Sequence, residues 1–442
     1  MAYIPHTEQD RREMLATIGV GSIEDLFCEV PEHLRLRRPL DVPEGMDEAG
    51  LLRHLRALAD QNTDMARCSC FLGAGIYDRF VPASVGAVVS RGEFLTAYTP
   101  YQPELSQGYL QTIYEFQSLV AELYGCDIAN ASMYDGATAL AEATLMACQV
   151  TGREAVVVSE GIHPHYRSVI RTYCWSMGVE VRETRLEDGR TALPEMGDDV
   201  AALVVQSPNF FGIVADVKGA RKAADEVGAK LVVSADPVAC GLLQPPGALG
   251  ADIVTGEGQP LGLPMGFGGP LLGLFACKGE LVRQIPGRVV GRTTDGDGRS
   301  GYTMTLRTRE QDIRRERATS NICTNEALMA LASTVAMCAL GKNGIRQMAE
   351  STVRNTQYAI ERLCEAGAAL KYDAPVFGEF VLSLPKPARM VQEKLLEERI
   401  LAGLPLDEFW PEMENDLLVA VTEMRRKDEI DRFAASLREV LA

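Results

Sequence analysis

Residues 251–262 read Ala-Asp-Ile-Val-Thr-Gly-Glu-Gly-Gln-Pro-Leu-Gly, an apolar run that passes directly into a glycine-rich turn. The run is typical of a buried strand, and the turn brings polar side chains to the end of that strand. Similar apolar runs precede and follow it, separated by segments with helical spacing. Strands that alternate with helices of this kind predict an α/β fold with a largely parallel sheet covered on both faces.

The predicted elements extend this alternation over most of the chain. Strands are expected at 155–158, 179–182, 201–205, 230–234, 252–254 and 270–277. Helices are expected at 109–124, 137–150, 165–177, 218–227, 325–341 and 343–367, and residues 68–108 are expected to form loops. We therefore predict an N-terminal helical segment (1–65), a large α/β domain (66–325) and a small C-terminal α+β domain (326–442).

Composition and charge narrow the range of functions. The chain has 442 residues and a formal net charge of −17, which argues against binding to nucleic acid or to an anionic membrane. The stretch from Lys278 to Arg317 is locally basic, and it is either a solvated surface or a face that meets an anion. The cysteines and histidines lack metal-ligand spacing, so no metal site is expected. No targeting segment is recognisable, and we expect a cytoplasmic protein.

Three short motifs place polar groups where a phosphorylated ring could bind. Asp135-Gly-Ala-Thr138 opens a helix, whose N–H groups and threonine hydroxyl can hold a phosphate. Asp236 ends a strand, and its carboxylate could pair with a pyridinium nitrogen. His163 follows another strand and could stack on a flat ring. Each motif alone also fits a helix cap or a buried hydrogen bond, but their order along the chain predicts a pocket for pyridoxal phosphate (PLP).

The lysine that such a pocket requires is missing. In enzymes that hold PLP as an imine, this lysine commonly follows a strand like the one at 252–254. The positions there are Glu257, Gln259 and Pro260, and none of them carries an amine. Lys230 opens a strand at the wrong end of the sheet, and Lys278 lies beyond the expected turn. The sequence therefore indicates a half-site, or a pocket that has lost its own chemistry.

Four blocks of sequence resemble the P-protein family of the glycine cleavage system. They are FLTAYTPYQPELSQG (94–108), ANASMYDGATA (129–139), RQIPGRVVG (283–291) and TREQDIRRERATSNICT (308–324). The resemblance implies the type I fold of PLP enzymes, with a mostly parallel seven-stranded sheet. It is strongest to the chain of the two-chain form that lacks the lysine, which corresponds to the N-terminal half of the single-chain form.

The resemblance also implies partners and a reaction. A β subunit would bind PLP covalently, the two chains would assemble as a heterotetramer, and glycine would be decarboxylated. The aminomethyl group would then pass to the lipoyl arm of H-protein. An alternative is a catalytically inactive scaffold or regulatory homodimer with the same fold.

Site residues follow from the matching blocks. Residues expected to complete the partner's active site, or only to shape the subunit contact, are Tyr98, Thr99, Tyr101, Gln102, Glu104, Thr319, Ser320 and Asn321. Residues expected to be remnants of a lost cofactor pocket are Asp135, Thr138, His163 and Asp236, with Gln259 near the position of the PLP lysine.

Overall fold

A computed structural model describes residues 5–266 and 268–442. The first four residues of the predicted N-terminal segment and Phe267, in the glycine-rich stretch after residue 262, lie outside the described part. The chain divides into two compact units, Met1–Thr63 and Asp64–Ala442. The predicted boundary between a large and a small domain near residue 325 stays a prediction.

The first unit contains two α-helices, α1 (Glu8–Ile18) and α2 (Glu48–Ala59). Each begins with a side chain that accepts from the first turn, Thr7 in α1 and Asp47 in α2. The helix-start pattern at residues 22–27 gives a single 3₁₀ turn, Glu24–Phe27. No described residue of this unit is buried. The helices are therefore held by local capping and not by a core of their own.

The second unit holds all the strands of the described chain. In chain order they are β1 (Ser69–Cys70), β2 (Ile128–Ala129), β3 (Ala155–Ser159), β4 (Glu180–Thr184), β5 (Leu186–Glu187), β6 (Arg190–Thr191), β7 (Val200–Ser207), β8 (Lys230–Ala235), β9 (Ile253–Glu257), β10 (Gly273–Cys277), β11 (Val289–Thr294), β12 (Ser300–Thr305), β13 (Ala369–Leu370), β14 (Glu379–Ser383), β15 (Ile400–Leu401), β16 (Leu404–Pro405) and β17 (Asp416–Ala420).

Its α-helices continue the numbering. They are α3 (Ala83–Val89), α4 (Gly92–Leu95), α5 (Gln107–Tyr124), α6 (Gly136–Thr151), α7 (Pro164–Ser176), α8 (Val217–Val227), α9 (Gln311–Arg314), α10 (Ala327–Glu365), α11 (Ala388–Glu397) and α12 (Lys427–Leu441). The loops expected at 68–108 are thus interrupted by α3 and α4. Pro82 precedes the first turn of α3, where the absence of an N–H costs no helical hydrogen bond.

A seven-stranded sheet forms the centre of this unit, in the order β2-β10-β9-β8-β7-β3-β4. The five strands from β9 to β4 are parallel, and β10 runs antiparallel to both β9 and β2. Every residue of β3, β9 and β10 is buried, as expected for strands covered on both faces. The predicted mostly parallel sheet is confirmed.

Alternation along the strands divides the core into two layers. Val157 of β3 packs in a cluster with helices α5, α8 and α10, whereas Val156 and Val158 pack in the cluster on the other face, with α6 and α7. The strand predicted at 252–254 is longer than expected and ends at Glu257. The side chain of Glu257 therefore lies at the carboxyl end of β9, and Gln259 follows two residues later.

Helix α10 and a second sheet form the rest of the unit. The two helices predicted on either side of residue 342 are joined into α10, with a break at Gly341 (φ 59°, ψ −179°). By length and composition α10 is also the one described helix that could cross a membrane. Its small and apolar residues pack in the core of this unit. Beyond it, a four-stranded antiparallel sheet has the order β13-β14-β17-β16.

Two glutamines attach the β11–β12 hairpin to helix α5. The Gln117 amide accepts from the N–H of Val290 (2.9 Å) and donates to its carbonyl (3.0 Å). Gln107 pairs in the same way with the backbone of Tyr302, at 2.8 and 2.9 Å. Each amide thus takes the place of a neighbouring strand on one edge of the hairpin.

Candidate functional site

The pocket predicted from the sequence lies at the carboxyl ends of β8 and β9, where ligands gather in parallel sheets. His163, Asp236, Glu257 and Pro260 line one cavity there, with a volume of about 50 Å³. Asp135 and Thr138 are not among its lining residues. Instead they cap helix α6: the Thr138 N–H donates to Asp135 Oδ1 (2.7 Å), and the Asp135 N–H donates to Thr138 Oγ1 (3.2 Å).

The carboxylate of Glu257 collects the backbone donors of this site. Its Oε2 accepts from the N–H of Gly136 (2.9 Å), the first residue of α6. Its Oε1 accepts from the N–H groups of Gln259 and Leu272, both at 3.0 Å. Burial raises the pKa of this carboxyl to about 7, while the three amide donors favour its charged form.

His163 is fixed as a neutral imidazole. Its Nδ1 accepts from the N–H of His165 (3.1 Å), and its Nε2 therefore carries the proton and donates to the carbonyl of Ala74 (2.9 Å). Burial lowers the pKa of this imidazole to about 4. The ring stacks on Tyr166, with centroids 4.9 Å apart and an angle of 22° between the planes. The imidazole predicted to stack on a flat ring thus stacks on a ring of the chain itself.

Asp236 has structural partners on both oxygens. Oδ1 accepts from the N–H groups of Val238 (2.7 Å) and Ala239 (3.1 Å). Oδ2 lies 3.7 Å from the guanidinium of Arg79, which is itself buried and paired with Glu423 at 2.7 Å.

The side chain near the position of the missing lysine is also hydrogen-bonded within the chain. The buried side chain of Gln259 accepts from the N–H of Tyr77 (3.0 Å) and donates to the carbonyls of Tyr77 and Leu263, both at 2.9 Å. Ligand pockets usually measure about 300 Å³ or more, so the 50 Å³ cavity is too small for PLP. The residues present in this chain's own pocket do not fit the cofactor.

Two buried groups of the pocket escaped the sequence analysis. Arg79 lies in the stretch expected to form loops, and Glu379 lies in β14. The Glu379 carboxylate accepts from the N–H of Ala74 (2.6 Å) and from the hydroxyl of Tyr77 (2.8 Å), and burial raises its pKa to about 7. About 300 residues separate Glu379 from these partners, and no local pattern in the sequence signals the contact.

The residues predicted to meet a partner lie elsewhere, on an exposed face of the second unit. Tyr98 and Tyr101 are 77% and 64% exposed, and Leu105 is 80% exposed. Gln102 and Glu104 are exposed beside them. Tyr101 lines a cavity of about 270 Å³ whose other walls come from Arg288, Met304 and residues 307–323. The structure therefore brings the tyrosine block and part of the 308–324 block together.

Thr319, Ser320 and Asn321 line a different cavity, of about 450 Å³, with Glu142, Tyr173 and Trp175. The carbonyl of Thr319 accepts from Gln149 Nε2 (2.9 Å), and Ser320 Oγ accepts from the N–H of Ile322 (3.1 Å). Burial raises the pKa of Glu142 to about 7, while the Ser320 hydroxyl acts in the opposite direction. The two predicted groups thus do not share a single pocket in this chain.

Several polar atoms of this face are buried without a partner. Among the described residues they include Thr99 Oγ1, Arg307 Nε, Arg309 Nε and Nη2, and Glu310 Oε1. Buried polar groups in folded proteins almost always have partners, so these atoms are exceptions within the chain. Within the same described residues, no set of His, Cys, Asp and Glu side chains is arranged to hold a metal ion.

Comparisons with known proteins identify the relatives of this chain. The family model described as "Glycine cleavage system P-protein" matches residues 1–437. A protein of Geobacillus kaustophilus named "Probable glycine dehydrogenase (decarboxylating) subunit 1" is 51% identical over 439 residues, which is 98% of each chain. A protein of the same name from Desulforamulus reducens is 48% identical over 99% of each chain.

Solved structures agree with these sequence matches. A crystal structure of glycine decarboxylase (P-protein) of the glycine cleavage system, in inhibitor-bound form, matches with a TM-score of 0.92 and 47% identity over the whole of both chains. A glutamate decarboxylase of Lactobacillus brevis matches with a TM-score of 0.68 at 12% identity, over 92% of this chain and 95% of that one. The fold is thus the type I fold of PLP-dependent enzymes.

Proposed function

Because this chain belongs to the glycine cleavage system P-protein family and matches subunit 1 relatives over 98% of their length, we propose that it is the lysine-lacking half of a heteromeric glycine decarboxylase. The observation that carries the proposal is the pocket around Gln259. An amide stands near the lysine position, and the cavity beside it is too small for PLP. The cofactor is therefore assigned to the partner chain.

PLP in the partner supplies the electron sink that stabilises the carbanion formed when glycine loses CO2. The part of this chain is to complete the walls of that site. Tyr98, Tyr101 and Thr99, with Gln102 and Glu104, would line the approach of glycine and exclude water from it. The exposure of Tyr98 and Tyr101 in the isolated chain supports this role, since tyrosines are common anchors of protein interfaces.

Thr319, Ser320 and Asn321 would hold an anionic group of the partner's site by hydrogen bonds. Hydroxyl and amide groups can bind a phosphate or a carboxylate without an amine that would compete for the imine. The buried unpartnered atoms at Arg307, Arg309 and Glu310 support a contact in which this segment gains further partners.

The remaining parts of the proposal concern assembly. We assign the chain to a heterotetramer of two subunits of each kind, located in the cytoplasm. The lipoyl arm of H-protein is the acceptor of the aminomethyl group. The word "subunit" in the names of the relatives supports a second chain.

The proposal is tested with the purified chain, the candidate β chain and their mixture. We expect PLP absorbance, a borohydride-reducible imine and CO2 release from glycine in the mixture, and no imine and no CO2 release with this chain alone. An imine formed by this chain alone would contradict the proposal. A stable homodimer that adds nothing to the β chain would favour the scaffold alternative.

Variants of the predicted interface residues test what this chain contributes to CO2 release. Tyr101→Ala and Ser320→Ala should each lower CO2 release by the mixture about tenfold or more, corresponding to about 1.4 kcal/mol of barrier. Leu396→Ala is the matched control, because Leu396 is a half-exposed apolar residue on α11, far along the chain from both blocks. If all three variants retain full activity while the mixture still assembles, the predicted residues only shape the contact.

A further inference from the structure

We propose that the pocket of this chain is closed by an internal ligand. The Glu257 carboxylate holds the place of a bound anion, and the Tyr166 ring holds the place of a flat ring stacked on His163. The pocket is thus a latent site for a small anion and a planar aromatic ring, and in the native chain its own side chains fill it. The inference does not rest on the proposed function, because it concerns only residues of this chain.

The anion half of the latent site is the set of backbone N–H groups around Glu257. Three backbone N–H groups point at its carboxylate, and they come from three separate places: the start of α6, the turn after β9, and the residue before β10. Two of the three donors therefore lie outside any helix. Converging amides of this kind bind anions, and here the anion is covalently part of the chain.

The ring half of the latent site is the space that the Tyr166 ring occupies. This ring lies nearly parallel to the imidazole of His163. Its hydroxyl also approaches Gly136, where a Cβ built on the backbone would lie 2.6 Å from that oxygen and 3.1 Å from Glu257 Cβ. Tyr166 therefore extends from the stacking histidine to the amide that binds Glu257. The order along the pocket is imidazole, aromatic ring, anion.

Covalent attachment explains why the native pocket stays closed. An attached group competes at a high effective concentration, and a free anion that displaced it would leave the buried Glu257 carboxylate without its three amide donors. Removing one attached group should expose the matching part of the site. The class of ligand follows from the group removed: a small anion in place of the carboxylate, and a planar ring in place of the tyrosine.

The anion half is tested by chemical rescue of Glu257→Ala, with formate and inorganic phosphate as probes. We expect a thermal midpoint below that of the native chain, and a rise of about 2 °C or more on adding either anion at matched ionic strength. The native chain should show no such rise. Glu142→Ala is the control. Glu142 lies on α6 and is buried like Glu257, but it contacts the Ser320 hydroxyl and not a set of amides. If the anions raise the thermal midpoint of Glu257→Ala no more than those of the native chain and of Glu142→Ala, the anion half is wrong.

The ring half is tested separately with Tyr166→Ala and 3-hydroxypyridine. We expect this ring to raise the midpoint of Tyr166→Ala and to leave that of Tyr173→Ala unchanged, since Tyr173 lies on the same helix α7 without a stacking histidine. No rise with Tyr166→Ala would overturn the ring half. This variant also decides the inference if Glu257→Ala does not fold. The native chain and the single variants are used without a partner, so failure here leaves the proposed function untouched.

Discussion

Gly136 is the residue at which the helix start, the tyrosine and the carboxylate meet. A Cβ at this position would lie 2.6 Å from Tyr166 Oη and 3.0 Å from the backbone nitrogen of Glu257. The first contact can be relieved by moving a side chain, but the second requires a shift of β9. We expect Gly136→Ala to lower the free energy of unfolding by about 1–3 kcal/mol.

Urea denaturation of the purified chain measures this change. Gly108→Ala is the matched control, because Gly108 also lies in the first turn of a helix and no atom lies within 4 Å of its Cβ position. This control should be neutral or stabilising by up to about 1 kcal/mol. Equal losses in the two variants would show that the packing around Gly136 is not the cause.

Buried titratable groups make the stability depend on pH. Burial raises the pKa of Glu142, Glu257 and Glu379 to about 7, from an ordinary value of 4.5. The folded chain thus holds these protons more tightly than the unfolded chain. Their stabilising contribution is fully present below pH 4.5 and is lost as the pH rises through 7. We expect the free energy of unfolding to fall between about pH 4.5 and pH 7 and to level off above pH 7.

His163 has the opposite effect on the pH dependence of stability, over an overlapping pH range. Burial lowers its pKa from 6.5 to about 4, so its contribution is lost as the pH falls below 6.5. Urea denaturation across this range measures both slopes. The fall between pH 4.5 and pH 7 should be smaller in Glu142→Gln, by up to about 1.4 kcal/mol per pH unit. Stability that stays constant or rises from pH 4.5 to 7 would contradict the buried carboxyl pKa values.

The residue types of the pocket were predictable, but their partners were not. The sequence placed Asp135, His163 and Asp236 at strand ends and a helix start, and the structure finds them there. Asp236 lies beside Arg79, and His163 donates to Ala74, whose N–H donates to Glu379; these contacts join residues that are far apart in the chain. Single-sequence patterns carry no information on such pairs. The roles of the tyrosine block and of residues 319–321 toward a partner stay predictions.

At the scale of elements, the hairpin β11–β12 depends on side chains of helix α5. Gln117 is buried and satisfies both the N–H and the carbonyl of Val290. Gln117→Ala would leave both groups unpaired in the interior. We expect a loss of about 1–3 kcal/mol in the free energy of unfolding and faster hydrogen exchange at Val290.

Gln111→Ala controls for the loss of a glutamine from the same helix. Gln111 is exposed, and its amide donates to Glu115 four residues along α5. The change should alter stability by less than about 0.5 kcal/mol. Unchanged exchange at Val290 in Gln117→Ala would show that water or a neighbouring strand replaces the amide.

Predicted elements agreed with the structure where periodicity was strong. The helix at 109–124 and the strands at 155–158 and 230–234 are present, with ends moved by one or two residues. The strand at 252–254 was set too short, because Gly256 and Glu257 resemble a turn in sequence. They continue the strand because β10 pairs with them, Leu274 opposite Gly256 and Gly273 opposite Glu257. Tertiary pairing thus overrode a weak local preference.

At the scale of the whole molecule, the first unit differs from the second because none of its described residues, 5–63, is buried. Leu51, Leu52, Leu55 and Leu58 of α2 keep 45–51% of their surface exposed. Segments without buried contacts open readily and are cut first by proteases. We expect limited trypsin digestion of the isolated chain to cut within residues 5–63 before any site in 64–442.

Mass spectrometry of the fragments measures the order of cleavage. Arg35, Arg37 and Arg53 are suitable sites in the first unit, and the exposed Arg299 and Arg317 are reference sites in the second. First cleavage at the reference sites would contradict the expectation.

The fold class was predictable at this scale because strand–helix alternation specifies layers. The strand order was not, since it depends on which strands meet in space.

The closed pocket also bears on how the chain matures. Many cofactor enzymes reach full stability only after a vitamin-derived molecule enters the fold. Here the carboxylate of Glu257 and the ring of Tyr166 are synthesised with the chain itself. Under the proposed assignment of PLP to the partner, folding of this chain would not require vitamin B6. Scarcity of the vitamin would then act through its partner alone.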